Sequence, residues 1–256
     1  MLTEIIYQDK EVLVVRKPAG LATQTARVGQ QDVVSELKNY LRHSVGSFSG
    51  NSKFVDNGKA EPYLGVIHRL DQPVEGLLVF AKNRDAACCL VEQLQGQESV
   101  FSKRYYAVLC GIPTRKTGRL TDILSKESVM VGTRKEYRSA VKEPVHPGED
   151  SAPGLRAELE YEILQVREAE GLALADIRLI TGRFHQIRAQ MAHGGAPLLG
   201  DMKYGSEASM ALTRKLGIRY VALCAYSLEF RHPVSGKRME FRIEAGNPAF
   251  SFFSQL

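Results

Sequence analysis

The stretch VIHRLDQPVEGLLVFAKN, residues 66–83, places an acid and two basic residues directly before an apolar run. His68, Arg69 and Asp71 stand within four positions, and the segment LLVFA that follows is typical of a buried strand. An acid in this setting is either half of a solvated ion pair or a carboxylate that a turn presents for nucleophilic or acid–base chemistry. The pattern alone leaves both interpretations open.

The composition of the chain is typical of a globular protein. Its 256 residues, 44% hydrophobic and 25% charged, are enough for one large domain or two small ones. The 34 Lys and Arg against 29 Asp and Glu give a net charge of +5, which favours a polyanionic partner without identifying it. With neither a long apolar run nor an export signal, we expect no membrane span and a cytoplasmic location. The four cysteines lack CxxC spacing, which fits a reducing compartment and predicts no metal site.

Local patterns predict many strands with a few interspersed helices. Residues 4–17 alternate as a hairpin around DKE, and residues 32–45 form an amphipathic helix with Asp32 as its N-cap. The remaining predictions are helices over DAACCLVEQLQ and HQIRAQMAHGG, strands over RYYAVLCG, AELEYEILQVR and LALADIRLI, a hairpin around PVSGK, and loops over 44–61 and 142–154. Because no regular βαβ rhythm occurs, we expect an α+β fold with a mostly antiparallel sheet.

A second place for chemistry is the segment TGRFHQIRAQMAH, residues 181–193. On a helix that begins near Phe184, His185 and Arg188 are three residues apart and share a face. An arginine on a short helix can form a bidentate pair with a carboxylate, and Asp71 is the natural candidate. From the residues alone, such a pair is structural about as often as it is catalytic.

The sequence lacks the motifs of several common catalytic and nucleotide-binding sites. The sequence contains no G-x-S-x-G elbow, no P-loop, no dinucleotide fingerprint and no H-E-x-x-H pattern. Asp71 could belong to a glycosidase pair of carboxylates, but the sequence does not identify the second acid. What remains is one aspartate flanked by cations, with tyrosines and arginines available for stacking.

Four segments in order along the chain carry a combined signal. They are IIYQDKEVLVVRKPAGLATQ, YLGVIHRLDQPVEGLLVFAKN, KRYYAVLCG and TGRFHQIRAQMAHGGAPLLGDMKYG. Over roughly residues 5–245 they resemble the motifs of the RluA-type pseudouridine synthases, among them H-R-L-D-x-x-T-S-G-L-L, K-x-Y-x-A and T-G-R-x-H-Q-I-R. The resemblance implies one α+β catalytic domain over residues 1–256, with a mixed sheet and a central cleft, and no separate N-terminal RNA-binding domain.

The resemblance also implies an isomerase that converts uridine in RNA to pseudouridine, with Asp71 as the essential group. Uracil must be cut from C1′, turned and rejoined through C5, so a nucleophile has to hold the sugar or the base in between. Direct attack on C1′ and a glycal route both stay open. Tyr105 is expected to stack on the target uracil and Arg188 to pair with the aspartate. Arg69 is expected to enter the space that the flipped nucleotide leaves.

Three more residues of these motifs are expected to contact the substrate: His68, Arg183 and His185. The two histidines have an alternative role, which is to support neighbouring groups by hydrogen bonds. The resemblance implies tRNA, rRNA or both as the substrate, no protein partner, and a monomer. No metal or organic cofactor is expected, because the isomerisation is redox-neutral.

The chain departs from the family pattern in two places. Val74 and Glu75 replace the common Thr-Ser, and Phe184 replaces the Thr of T-G-R-T-H. The added carboxylate would repel an RNA phosphate, or it marks a differently built turn. Two rival functions stay open. One is a non-catalytic RNA-binding protein or RNA chaperone of the same fold, which Glu75 favours; the other is a nucleoside or glycoside hydrolase, because Asp71 could also release the base to water. Neither departure affects the three residues expected to carry the chemistry.

Overall fold

The computed structural model describes residues 1–25, 29–45, 61–96, 100–142 and 154–253. The strands are, in chain order, β1 (Glu4–Gln8), β2 (Val12–Lys17), β3 (Gly65–Val66), β4 (Glu75–Ala81), β5 (Ser102–Cys110), β6 (Thr117–Val131), β7 (Arg134–Lys142), β8 (Leu155–Arg167), β9 (Leu172–Leu179), β10 (Leu223–Arg231) and β11 (Arg238–Arg242). The helices are α1 (Val33–Val45), α2 (Arg84–Gln95), α3 (Gln186–His193) and α4 (Glu207–Lys215). These elements confirm the predicted α+β class.

The chain folds into two compact units. Unit 1 comprises Met1–Ser102 and Tyr226–Ile243, and unit 2 comprises Lys103–Ala225 and Glu244–Leu256. None of the helices in the described ranges is both long enough and apolar enough to cross a membrane.

Unit 1 is built on the pairing of β2 with β4. Strand β2 pairs with β1 on one side and with β4 on the other, β4 also pairs with β3, and β10 pairs with β11, all antiparallel. Alternate apolar residues of β2 and β4 pack against α2 and two phenylalanines; the cluster includes Val12, Val14, Leu77, Val79, Leu90, Phe101 and Phe230. The predicted hairpin over residues 4–17 and the helix that Asp32 caps are both confirmed, since Asp32 Oδ1 accepts from the Ser35 amide at 2.7 Å.

Unit 2 contains a five-stranded antiparallel sheet in the order β5-β9-β8-β6-β7. Helix α3 packs on this sheet through Ala189, which contacts the buried Leu124 of β6 and Ala157 of β8. The predicted strands here are confirmed, as is a short helix that ends at Gly194. The predicted start near Phe184 was wrong, because His185 has a left-handed backbone and precedes the helix, which begins at Gln186. The long β6–β7 hairpin and helix α4 were not predicted. Most of the two predicted loops, over 44–61 and 142–154, lies outside the described residues.

Candidate active site

Asp71 lies in the loop that leads into β4, at the first position of a tight turn. Its carbonyl oxygen accepts a hydrogen bond from the Val74 amide at 3.1 Å. Just before it, the Thr23 hydroxyl donates to the Leu70 carbonyl at 2.9 Å and accepts from the Leu70 amide at 3.2 Å. The Asp71 side chain is half-buried, whereas β4 is buried along its whole length. The carboxylate therefore lies on a hydrogen-bonded turn that a buried strand anchors.

A fully buried lysine holds the same turn together. Lys17, the last residue of β2, is 0% exposed. Its Nζ donates to three backbone carbonyls, those of Pro18 at 2.9 Å, Leu21 at 2.7 Å and Gln72 at 3.2 Å. Burial lowers the pKa of Lys17 to about 7, and the negative charges of Asp71 and Glu75 act against that shift. The motifs did not point to Lys17, although a lysine that ends an apolar strand and precedes Pro-x-Gly is a usable signal.

Glu75 is buried among cations of its own unit. Its Oε2 lies 3.6 Å from Nη2 of Arg16, and its charge acts on Lys17. A buried carboxylate cannot contact an RNA phosphate, and the positive charge of Arg16 offsets its own. The burial of Glu75 therefore favours the differently built turn over repulsion of an RNA phosphate.

His68 and Arg69 are neighbours in sequence but have opposite surroundings. His68 is buried; its Nε2 accepts from the Val79 amide at 3.4 Å, and its ring meets Phe101 edge-on with centroids 5.6 Å apart. Arg69 is exposed. This placement suits His68 to a supporting role inside unit 1 and leaves Arg69 accessible to a large ligand.

In unit 2, Arg188 forms a buried bidentate pair with Asp201. Arg188 Nε lies 2.7 Å from Asp201 Oδ2 and Nη2 lies 2.9 Å from Oδ1, and their side chains are 5% and 0% exposed. Burial acts to raise the pKa of Asp201, but the hydrogen bonds and charge of Arg188 outweigh it and hold that pKa below its ordinary value. The sequence predicts Asp71 as the partner of Arg188 and does not point to Asp201, which lies in the segment PLLGDMKYG. The pairing with Asp71 stays a prediction.

Strand β5 carries the predicted tyrosine and a second perturbed lysine. Tyr105 is buried and faces Ile177 of β9 in the register, whereas Tyr106, on the opposite face, is half-buried. Lys103 and Tyr105 are two residues apart and share a face of the strand. Burial of the ammonium lowers the pKa of Lys103 to about 8, although part of the side chain is exposed. Lys103 was also not predicted as a site residue, although it is the first residue of the K-x-Y-x-A motif that contains Tyr105.

The residues before α3 hold a strained turn. His185 has φ of 50°, the left-handed region that non-glycine residues rarely adopt. Its Nδ1 is hydrogen-bonded to the Tyr204 hydroxyl at 2.9 Å, and its ring stacks on Phe184 with centroids 3.7 Å apart. Arg183 is exposed, and its Nε donates to the Arg156 carbonyl at 2.9 Å.

The seven predicted site residues divide between the two units. Unit 1 brings three of them into one loop: His68, Arg69 and Asp71. Unit 2 holds the other four, three of them at the start of α3 and one on β5: Arg183, His185, Arg188 and Tyr105.

Curated relatives resemble this chain over nearly its whole length. Residues 11–193 match the family model described as RNA pseudouridylate synthase. The chain is 32% identical over 255 residues to ribosomal large subunit pseudouridine synthase D of Zymomonas mobilis, which covers 99% of this chain and 72% of that protein. It is 33% identical over 245 residues to the protein of the same name from Pseudomonas aeruginosa, and this match covers 93% of this chain and 67% of that protein.

Solved structures share the fold. Human RNA pseudouridylate synthase domain containing 4 superposes with a TM-score of 0.68 at 23% sequence identity, over 95% of this chain and 88% of that one. Human RNA pseudouridylate synthase domain containing 1 superposes with a TM-score of 0.63 at 19% sequence identity, over 94% of this chain and 83% of that one. At these identities the likeness concerns the fold alone.

Proposed function

Because this chain belongs to the RluA-type family of RNA pseudouridine synthases, an isomerase family that acts on RNA, we propose that Asp71 is its essential catalytic group. One observation carries this proposal: unit 1 presents the half-buried Asp71 on a tight turn, ahead of a fully buried strand and beside the buried cation of Lys17. Fixed geometry of this kind is what a nucleophilic or acid–base carboxylate requires.

The reaction rearranges bonds within one nucleotide. The N1–C1′ bond of the uridine breaks, a C5–C1′ bond forms, the proton on C5 is lost and N1 gains one, so the RNA keeps its mass. In its ionised form, Asp71 either adds to C1′ as uracil departs or assists a glycal route. One carboxylate is sufficient because the released uracil returns as the second nucleophile.

We assign Tyr105 and Arg188 to the same reaction. Tyr105 provides an aromatic ring for the uracil and a hydroxyl near which the C5 proton can leave. Arg188 provides a permanent positive charge for the aspartate, and its bidentate contact with Asp201 keeps the guanidinium in one orientation. Lys103, on the Tyr105 face of β5, adds an ammonium whose pKa burial lowers to about 8, so it is mostly protonated at neutral pH but gives up its proton more readily than an ordinary lysine.

The remaining predicted residues are assigned to binding. The exposed Arg69 and Arg183 contact the RNA, and Arg69 enters the space of the flipped nucleotide. His185 is held next to an exposed ring and contacts the substrate from there. His68 is buried and supports the loop of Asp71 through its contact with the Val79 amide.

The proposed substrate is tRNA or rRNA, and large-subunit ribosomal RNA is the first to test, because several relatives are named for it. We propose that a monomer is active, and light scattering of the purified protein tests this. The four free cysteines fit a proposed cytoplasmic location.

The direct test of Asp71 is tritium release from RNA that carries [5-³H]uridine. Asp71→Asn removes the charge at constant size, and we expect no release and no pseudouridine, with RNA affinity within about twofold of wild type. Asp85→Asn, an exposed aspartate of α2 in the same unit, is the matched control and should release tritium at the normal rate. Tritium release by a folded Asp71→Asn variant would contradict the assignment.

A further inference from the structure

Two exposed aromatic rings and a lysine form a cluster on unit 2 that the isomerisation leaves unused. We call Lys126, Tyr137 and Phe184 the aromatic platform. The residues Tyr137 and Phe184 are 46% and 40% exposed. Lys126 Nζ lies 4.5 Å from the centroid of Tyr137 and 5.0 Å from that of Phe184. Exposed aromatic rings together with basic side chains are the combination on which single-stranded nucleic acids stack.

The neighbouring residues hold the platform in place. The Phe184 ring stacks on His185 at 3.7 Å with an interplanar angle of 22°. The Phe184 carbonyl accepts a hydrogen bond from the Ser139 hydroxyl, and the Ser139 amide donates to the Tyr204 hydroxyl at 2.7 Å. Strand β7 and the turn before α3 are thereby tied together. A ring whose position is fixed before binding loses little conformational entropy when a ligand stacks on it.

The charge around the platform is complementary to a phosphate. Lys135 Nζ lies 5.9 Å from the Tyr137 centroid. The nearby carboxylates have cations of their own: Glu136 pairs with Lys203 at 2.9 Å, and Glu127 pairs with Lys142. Lys126 and Lys135 form no ion pair with an acidic residue in the described part of the chain, so their charge is available to an anion.

Phe184 stands where the family pattern has threonine, so the platform distinguishes this chain from that pattern. We propose that the aromatic platform stacks an unpaired nucleobase of the substrate RNA, at a nucleotide other than the target uridine, while Lys126 binds the adjoining phosphate. The inference rests on the proposed function in that RNA is the ligand. Bases in a duplex are covered by their neighbours, so the platform selects a single-stranded segment.

The chain contains no tryptophan, which makes the test specific. Phe184→Trp places the only indole on the platform, and its fluorescence reports stacking. The probe is an oligouridylate of about twelve nucleotides, within the range of single-strand site sizes. We expect saturable quenching by this probe, weak quenching by the same strand in a duplex with oligoadenylate, and none by inorganic polyphosphate. Equal quenching by all three would overturn the proposal, because it would report charge alone.

Affinity variants provide the second readout. Phe184→Ala and Phe184→Thr should weaken binding of the oligouridylate by about 5- to 100-fold, the range that loss of one stacked base gives. Phe184→Leu keeps most of the apolar volume and should also weaken binding, which separates stacking from a folding effect. Tyr220→Leu is the matched control, since this ring has Arg219 at 5.2 Å on another part of unit 2. Unchanged affinity in the folded Phe184 variants would contradict the proposal.

Both experiments are repeated with Asp71→Asn, so that they depend on binding alone. Absence of quenching in a wild-type background that forms pseudouridine would overturn the platform and leave the proposed function intact. Quenching by a protein that forms no pseudouridine in any RNA would support the platform and refute the proposed function.

Discussion

Lys17→Met is expected to remove one specific pH dependence from the stability of the protein. The pKa of Lys17 is about 7 in the folded chain and 10.5 in the unfolded one. Between these values the unfolded chain binds more protons, so the free energy of unfolding rises with pH. The slope is about 1.4 kcal/mol per pH unit at its steepest, which amounts to about 2 kcal/mol between about pH 7.5 and about pH 9.

The assay is urea unfolding followed by circular dichroism at several pH values in this window. Other groups, among them Lys103, also titrate there, so the informative quantity is the wild-type slope minus the slope of Lys17→Met. Methionine removes the Lys17 donor from three carbonyls, of which that of Gln72 keeps the Gly20 amide at 2.8 Å. This loss shifts the free energy of unfolding by a constant amount at every pH and leaves the slope difference unaffected. Lys10→Met, at an exposed position, should keep the wild-type slope. Parallel curves for wild type and Lys17→Met would show that Lys17 has an ordinary pKa and is not buried as described.

Three further predictions concern unit 2 and RNA binding. Asp201→Asn removes the negative charge that balances the buried Arg188, so the free energy of unfolding measured in urea should fall by about 3–5 kcal/mol. A loss below about 1 kcal/mol is the value expected of a solvent-exposed pair and would contradict the burial. Gly200→Ala puts a Cβ 2.1 Å from the Tyr220 carbonyl oxygen, so it should lower the free energy of unfolding by more than about 3 kcal/mol. Gly217→Ala has open space around its Cβ and should lower it by only about 1–2 kcal/mol, because of its positive φ. Equal shifts of the melting temperature in the two variants would refute this. RNA affinity should fall steeply as salt rises from about 50 to about 200 mM, and a flat titration would argue against a phosphate-binding surface.

Short-range patterns accounted for the elements whose residues signal their own structure. The hairpin over residues 4–17 alternates, and the first helix has Asp32 as its cap and apolar residues on one face. The β6–β7 hairpin gives a weaker signal, because many of its side chains are exposed. Most of the β6 residues that pair with β7, Ile123–Val131, also lie beyond the part of β6 that β8 covers. A strand with exposed polar residues on both faces resembles a loop in sequence.

The residues of the site also divide into those that local sequence motifs indicate and those whose surroundings form only on folding. Motifs identified Asp71, whose neighbours in sequence form its turn. The surroundings of Lys17 could not be predicted in this way, because its ammonium is buried only when carbonyls from residues 18, 21 and 72 converge on it. Asp201 was missed for the same reason, since its contact with Arg188 joins a helix to the loop that follows it. Burial and long-range pairing are properties of the folded chain.

The central claim is that Asp71 makes pseudouridine in RNA, and pseudouridine mapping tests it most directly. Unmodified large-subunit rRNA and tRNA are incubated with wild type or Asp71→Asn, treated with carbodiimide and copied by primer extension. We predict a discrete stop with wild type and no stop with Asp71→Asn. The same stop with the folded Asp71→Asn variant would contradict the claim.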